Sequence, residues 1–272
     1  MPPDAIHPAP TDLLALAVSV AREAGALVAR GQDRAGDHVG TKSSPVDVVT
    51  AVDSASEELL VGRLLAALPD DGVLGEEGAS REGTSGVRWV VDPIDGTVNF
   101  LYGLPAYAVS VGAEVHGTVR AGAVLNVATG ELFTATAGGG AWLSVGDEDA
   151  RRLKVREPAS LERTLVATGF GYRVGQRRAQ GRVVAELLPR VRDIRRSGSA
   201  ALDLCAVAAG RVDAYYELDL NPWDHAAGAL VAAEAGAVVT GLRGAPVGVP
   251  MTVAVAPSVA GPFLELVTEL HP

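Results

Sequence analysis

The stretch Trp89–Phe100, WVVDPIDGTVNF, constrains this chain more than any other. Trp89, Val90 and Val91 read as the apolar end of a buried strand, and Asp92 stands where that strand leaves the core. Pro93 has no amide hydrogen to give a ladder, so the strand is expected to end there. Asp95 follows across a stiff Pro-Ile link, and Gly96-Thr97 turn the chain toward a helix N-terminus. Two carboxylates on one tight corner repel by several kcal/mol unless a cation lies between them. Hard cations such as Mg²⁺ take oxygen ligands and leave positions for water and phosphate, and a helix N-terminus favours an anion. The corner reads as a carboxylate-held metal facing a phosphate. A turn with Asp caps fits the same letters, and only the rest of the chain separates the two.

A length of 272 residues allows one large domain or two closely packed halves. Hydrophobic residues make up 48% and aromatics only 4%, so the core is built mainly from Ala, Val and Leu. The net charge of −10 argues against a general nucleic-acid surface or an anionic membrane surface. It leaves phosphate substrates open, because bound metal reverses the local sign. The single cysteine, Cys205, excludes an internal disulfide and lies in an apolar run that reads as buried helix. The start, MPPDAIHPAP, lacks a basic patch followed by an apolar run, and no stretch approaches the roughly 18 apolar residues of a membrane span. The expectation is a cytoplasmic protein with a disordered tail over residues 1–10.

Thr11 to Arg30 reads as the first helix, capped by Thr11 or Asp12 and ended by Gly31. A polar loop carries Lys42. The second helix is expected over Ser54 to Leu68, opened by Ser54-x-x-Glu57 as a capping box. Asp53 then stands just before it, first as a charge complementing the helix dipole and second as a base that orients water. Val73-Leu74 leads into Gly75-Glu76-Glu77, a short strand with carboxylates at its exit that could converge with Asp92. Tyr107 to Leu143 alternates apolar runs with turns at His116-Gly117, Thr129-Gly130 and Gly138-Gly139-Gly140, an antiparallel meander. A strand at Leu165 to Phe170 and a helix at Arg182 to Leu188 follow. Eight arginines lie between Arg173 and Arg196, read as a solvated helix face plus loop, with attraction of an anionic substrate as the sharper reading. Ser197-Gly198-Ser199-Ala200-Ala201 opens an apolar helix. Arg211 to Leu218 is a strand with Glu217 at its exit. Pro222 suits the first turn of an Ala-rich helix from which Asp224 points, with His225 beside it as a packing or hydrogen-bonding residue. Val238-Val239 and Met251 to Ala256 read as further strands.

Together Lys42-Ser-Ser-Pro-Val-Asp47, Asp53, Gly75-Glu76-Glu77, Asp92-Pro-Ile-Asp95-Gly-Thr97, Glu217 and Trp223-Asp224-x-Ala-Ala-Gly228 resemble the inositol monophosphatase family of Mg²⁺-dependent, lithium-sensitive phosphatases. The resemblance implies an α+β, layered αβαβα sandwich. Residues 11–150 would form an α+β half with an antiparallel sheet, and residues 151–272 an α/β half. By the same resemblance Glu76, Asp92 and the Ile94 carbonyl would hold one metal, Asp92, Asp95 and Asp224 a second, and Glu76 a weaker third through water. Asp53 and Thr97 match the pair that orients the attacking water, and Gly96 and Thr97 amides would hold phosphate. Gly198, Ser199, Ala200 and Glu217 match contacts to the substrate alcohol, which Asp95 and Asp224 also approach. Lys42 matches a mobile loop over the site.

The activity so implied is hydrolysis of inositol monophosphate to inositol and phosphate, by in-line attack of a water held on the metal. The alternatives are the same chemistry on fructose 1,6-bisphosphate, histidinol phosphate or a 3′-phosphoadenosine nucleotide, or a non-catalytic phosphate- or partner-binding protein on this fold. The implied partners are a small phosphorylated polyol and a second copy of the chain as a homodimer, with no nucleic acid and no membrane.

Overall fold

The computed structural model describes residues 8–32, 39–41, 48–146 and 148–271. Its helices are α1 (Pro10–Gly31), α2 (Ala51–Ala67), α3 (Thr97–Tyr102), α4 (Val174–Leu187), α5 (Ala200–Ala208), α6 (Pro222–Glu234) and α7 (Ala260–Leu270). A two-residue pair, β1 (Gly40–Thr41) and β2 (Val48–Val49), precedes α2. The first large sheet takes β3 (Gly72–Gly75), β4 (Ser80–Arg81), β5 (Val87–Asp95), β6 (Ala108–Val115), β7 (Thr118–Asn126), β8 (Glu131–Thr136), β9 (Gly140–Val145) and β10 (Arg151–Arg152) in the order β10-β9-β8-β7-β6-β5-β3-β4. The second takes β11 (Leu165–Thr168), β12 (Asp193–Arg195), β13 (Ala214–Leu218), β14 (Val238–Thr240) and β15 (Met251–Val255) in the order β12-β11-β13-β15-β14.

The layers follow from which faces are apolar. α1 buries Leu13, Ala17, Val20, Ala21, Ala24 and Val28, a 3.6-residue stripe, and with α2 covers the outer face of the eight-stranded sheet. α5 and α6 are apolar on more than one side and fill the space between the two sheets. α4 and α7 close the far face of the five-stranded sheet. This is the αβαβα sandwich expected from the resemblance. α6 sits unusually close to the first sheet: a Cβ on Gly122 would lie 3.0 Å from Ala227 Cα, and one on Gly112, its cross-strand partner, 3.3 Å from Ala226 Cβ. Bare backbone at that pair lets α6 dock with Asp224 in its first turn. Among the described residues no helix is long and apolar enough to cross a membrane.

The structure redraws several boundaries. β5 does not stop at Pro93 but runs to Asp95, with a bulge where Asp92 and Asp95 face Ser110 and Ala108 of β6. Pairing with β3 has already ended at Val91, so the missing Pro93 amide removes no bond on that side. α1 opens at Pro10, whose fixed φ suits a first turn, and neither Thr11 nor Asp12 caps it; Gly31 is its last helical residue rather than the stop just after it. Pro10 is therefore helical, while residues 1–7 of the expected tail lie outside the described residues. α2 starts three residues earlier than expected, at Ala51. Thr50 is its N-cap and Asp53, not Glu57, closes the capping box. α4 reaches back to Val174, and β11 ends at Thr168. β13 begins only at Ala214.

Candidate active site

The site lies where β3 and β5 leave the first sheet. They run parallel, Gly75 opposite Val91, so Glu76 and Asp92 emerge side by side at one edge. Asp92 is buried. Burial holds its carboxyl well above the usual carboxylate range, and Glu76, Asp95 and Asp224 raise it further; it also shares a hydrogen bond with Glu76. Crowding of this kind favours uptake of a proton or a cation. Asp92 Oδ1 accepts from the Ile94 amide at 3.0 Å, which orients the bulge.

Asp95 points across to α5. Its Oδ2 accepts from Ser199 Oγ at 2.5 Å and from the Ala201 amide at 2.7 Å. Burial raises its pKa to about 6 against the lowering effect of these donors and of Arg196. Ser199 is the N-cap of α5, so Asp95 ties the first sheet to the helix between the layers. Asp224 is N3 of α6, where its Oδ2 accepts from the Asn221 amide at 2.6 Å. Its carboxyl is also held well above the ordinary range, by burial and then by Asp95 and Glu76.

Asp53 and Thr97 meet as expected. Thr97 Oγ1 lies 3.0 Å from Asp53 Oδ1 and 3.1 Å from the Ile94 carbonyl, so its one hydrogen has two acceptors. Asp53 Oδ2 accepts from the amide and hydroxyl of Thr50. One oxygen of Asp53 thus caps α2 while the other meets Thr97. Gly96 adopts φ +94° and Gly198 φ +93°, both in the left-handed region. A Cβ on Gly96 would lie 2.9 Å from the Ala106 carbonyl and 3.1 Å from that of Gly198, so only glycine fits at position 96.

Glu217 accepts from Tyr215 OH at 2.8 Å, and burial raises its pKa to about 7. Lys42 lies outside the described residues. The eight arginines between Arg173 and Arg196 are all exposed. Arg190 pairs with Glu269 and Arg195 with Asp193, whereas Arg196 faces Asp95, Asp203 and Glu217 and lowers all three.

Sequence reasoning missed Asn99 and Asp203. Asn99 Nδ2 donates to the carbonyls of Ala106 and Ser197 at 2.7 and 2.8 Å, stapling α3 to the loop before α5. Asp203, buried, accepts from Ser197 Oγ at 2.6 Å, and burial raises its pKa to about 7. Asn99 sits in the central motif, where its polarity amid apolar neighbours was the available signal; Asp203 had only its place in an apolar helix.

Among the described residues, no three of His, Cys, Asp or Glu are already disposed about one point as a metal sphere. The chemistry of the set nevertheless fits Mg²⁺. Glu76, Asp92, Asp95 and Asp224 offer only oxygen; the other three raise the proton affinity of Asp92, and Asp95 and Glu76 raise that of Asp224. Asp95 and Asp224 each turn an oxygen to a backbone amide. A stability consequence follows. Carboxyls with folded pKa raised above the unfolded value bind extra protons in the native state, so their contribution is present below about pH 4 and lost as pH rises through about 6 to 7. His225, whose pKa burial lowers to about 4, works oppositely below about pH 6.5 but is one group against several. Metal-free protein is expected to melt higher near pH 5 than at about pH 7.5, with the stabilisation by Mg²⁺ growing over the same interval. A scanning-fluorimetry series with and without Mg²⁺ reads this directly, and a flat metal-free profile would remove the repelling cluster.

Comparison with known proteins gives the family. Residues 9–270 match the inositol monophosphatase family, and the chain belongs to that family. It is 50% identical over 246 residues to an inositol-1-monophosphatase SuhB of Mycobacterium tuberculosis, covering 85% of this chain and 84% of that one. The solved structure of Mycobacterium tuberculosis SuhB superposes with a TM-score of 0.84 at 45% identity, over 97% of this chain and 98% of that chain. A relative from Escherichia coli K12, 39% identical over 241 residues and covering 88% of this chain and 87% of its own, is named Nus factor SuhB.

Proposed function

We propose that this protein is a Mg²⁺-dependent phosphomonoesterase that hydrolyses inositol monophosphate to inositol and phosphate. The observation that carries the reading is the buried Asp92 carboxyl, crowded by Glu76, Asp95 and Asp224 beside the Thr97–Asp53 hydrogen bond. Glu76, Asp92 and the Ile94 carbonyl would hold one ion, Asp92, Asp95 and Asp224 a second, and Glu76 a third through water. Bound Mg²⁺ supplies neutralisation of phosphoryl charge and a lowered pKa for the attacking water.

The chain's own residues do the rest. With its hydrogen given toward Asp53, Thr97 would accept a hydrogen bond from the attacking water and aim it at phosphorus, the proton lost by that water passing through Thr97 to Asp53. Asp53 keeps Thr97 in that orientation because the α2 cap fixes it. The Gly96 and Thr97 amides approach the phosphoryl oxygens. Asp224, with one oxygen on the Asn221 amide, holds with the other a water that protonates the leaving alkoxide. Gly198, Ser199 and Ala200 line the alcohol side, and Glu217 accepts its hydroxyls. The chain acts as a homodimer. Phosphoryl transfer needs positioning and charge more than covalent help, so no protein nucleophile is required.

The likeness to a protein named Nus factor favours a second reading, a partner-binding protein on this fold. Phosphate release from inositol monophosphate, fructose 1,6-bisphosphate, histidinol phosphate and a 3′-phosphoadenosine nucleotide at saturating Mg²⁺ decides among them. The proposal expects the highest kcat/KM on inositol monophosphate. A higher value on another compound would reassign the substrate, and no release from any would favour the binding role.

A further inference from the structure

α2 buries Asp53, Ser56 and Glu57 toward the site, with Leu60 and Leu64 continuing the same stripe into the core. Each of the three polar residues touches a different piece of the site. Asp53 meets Thr97, Ser56 Oγ donates to the Pro93 carbonyl at 3.2 Å, and Glu57 reaches the turn after β3. Glu57 Oε2 accepts from the Glu77 amide at 2.7 Å and Oε1 from the Ala79 amide at 2.9 Å. The turn closes on itself through the Gly75 amide and the Ala79 carbonyl at 2.7 Å. Gly75 lies so close that a Cβ there would stand 2.3 Å from Glu57 Oε2. Glu76 is the residue this clamp encloses, and its side chain meets Asp92.

We infer that Glu57 is a positioning residue that sets the place of Glu76 relative to Asp92, and so tunes metal affinity without touching metal or substrate. The inference rests on the proposed reading of Glu76 as a ligand. The geometry asks for a carboxylate: two amides must be accepted at once, one by each oxygen, and both bonds are charge-assisted. Gln would turn an NH₂ group toward one amide hydrogen and free that end of the turn. Asp would be one methylene short. Partners beyond the direct ligands commonly alter metal affinity by about 10- to 100-fold.

The test measures Mg²⁺ binding without turnover, as the Mg²⁺ concentration giving half-maximal thermal stabilisation, in wild type, Glu57→Gln, Glu76→Ala and the double variant. Glu57→Gln is expected to raise that midpoint about tenfold or more. At saturating Mg²⁺, KM for inositol monophosphate should stay within about twofold of wild type, because the clamp lies away from the alcohol. In the Glu76→Ala background Glu57→Gln should produce no further shift, since its effect passes through Glu76. An equal shift in both backgrounds, or none in wild type, overturns the inference and makes Glu57 a purely structural clamp. If Glu76→Ala itself leaves the midpoint unmoved, the ligand assignment fails first. Glu57→Asp, which keeps the charge and shortens the reach, is read in the same way should the Gln variant not fold.

Discussion

Asp95→Asn is expected to give a folded protein whose turnover at saturating Mg²⁺ falls about a hundredfold or more, as for loss of a major electrostatic element. Asn keeps the shape of the corner, and its carbonyl can still accept from Ser199 or the Ala201 amide. Burial raises the wild-type pKa to about 6, and removing the charge relieves its repulsion of Asp92 and Asp224 in metal-free protein. The variant should therefore melt no lower than wild type without metal at neutral pH, and gain less from Mg²⁺. Steady-state kinetics and a melting curve separate the outcomes. Near wild-type turnover would show that Asp95 only docks the first sheet on α5.

Glu217→Gln should divide substrates by their alcohol. The metal-side carboxylates see any phosphomonoester alike, whereas Glu217 faces the alcohol in the proposed reading. A charge-assisted hydrogen bond contributes roughly 1.5–3 kcal/mol, so kcat/KM on inositol monophosphate should fall by about ten- to more than a hundredfold. An aryl phosphate without hydroxyls should lose far less. The site leaves little tolerance for displacement of this side chain: a Cβ on Gly169 would lie 2.0 Å from Glu217 Oε2. Equal losses on both substrates would make Glu217 a brace for the fold, consistent with its bond from Tyr215 but not with a substrate contact.

What could be read from the sequence was set by local rules acting alone. The meander turns obey them: His116 has positive φ and Gly117 follows it, and the glycine triplet joins β8 to β9 as a turn. Pro222 and Asp224 fall in the first turn of α6 for the same reason. The failures come where two local solutions compete and tertiary contact chooses. Thr50-x-x-Asp53 and Ser54-x-x-Glu57 are both capping-box patterns, four residues apart. The second is unused as a cap because the Glu77 and Ala79 amides take the Glu57 carboxylate. Pro93 reads as a strand end, yet the bulge opposite Ser110 and Ala108 absorbs it. Asn99 is only half legible: its polarity amid apolar neighbours marks it, but Ser197, one of its two partners, lies 98 residues along the chain and comes beside it only in the folded protein.

The central claim is that the crowded carboxylates around Asp92 exist to hold a divalent cation that the reaction needs. Inositol monophosphate hydrolysis followed while Mg²⁺ is titrated into protein stripped by excess chelator tests it most directly. The account predicts no turnover in chelator and full recovery as free Mg²⁺ rises, with the recovery tracking the gain in melting temperature. Undiminished hydrolysis in excess chelator would contradict it.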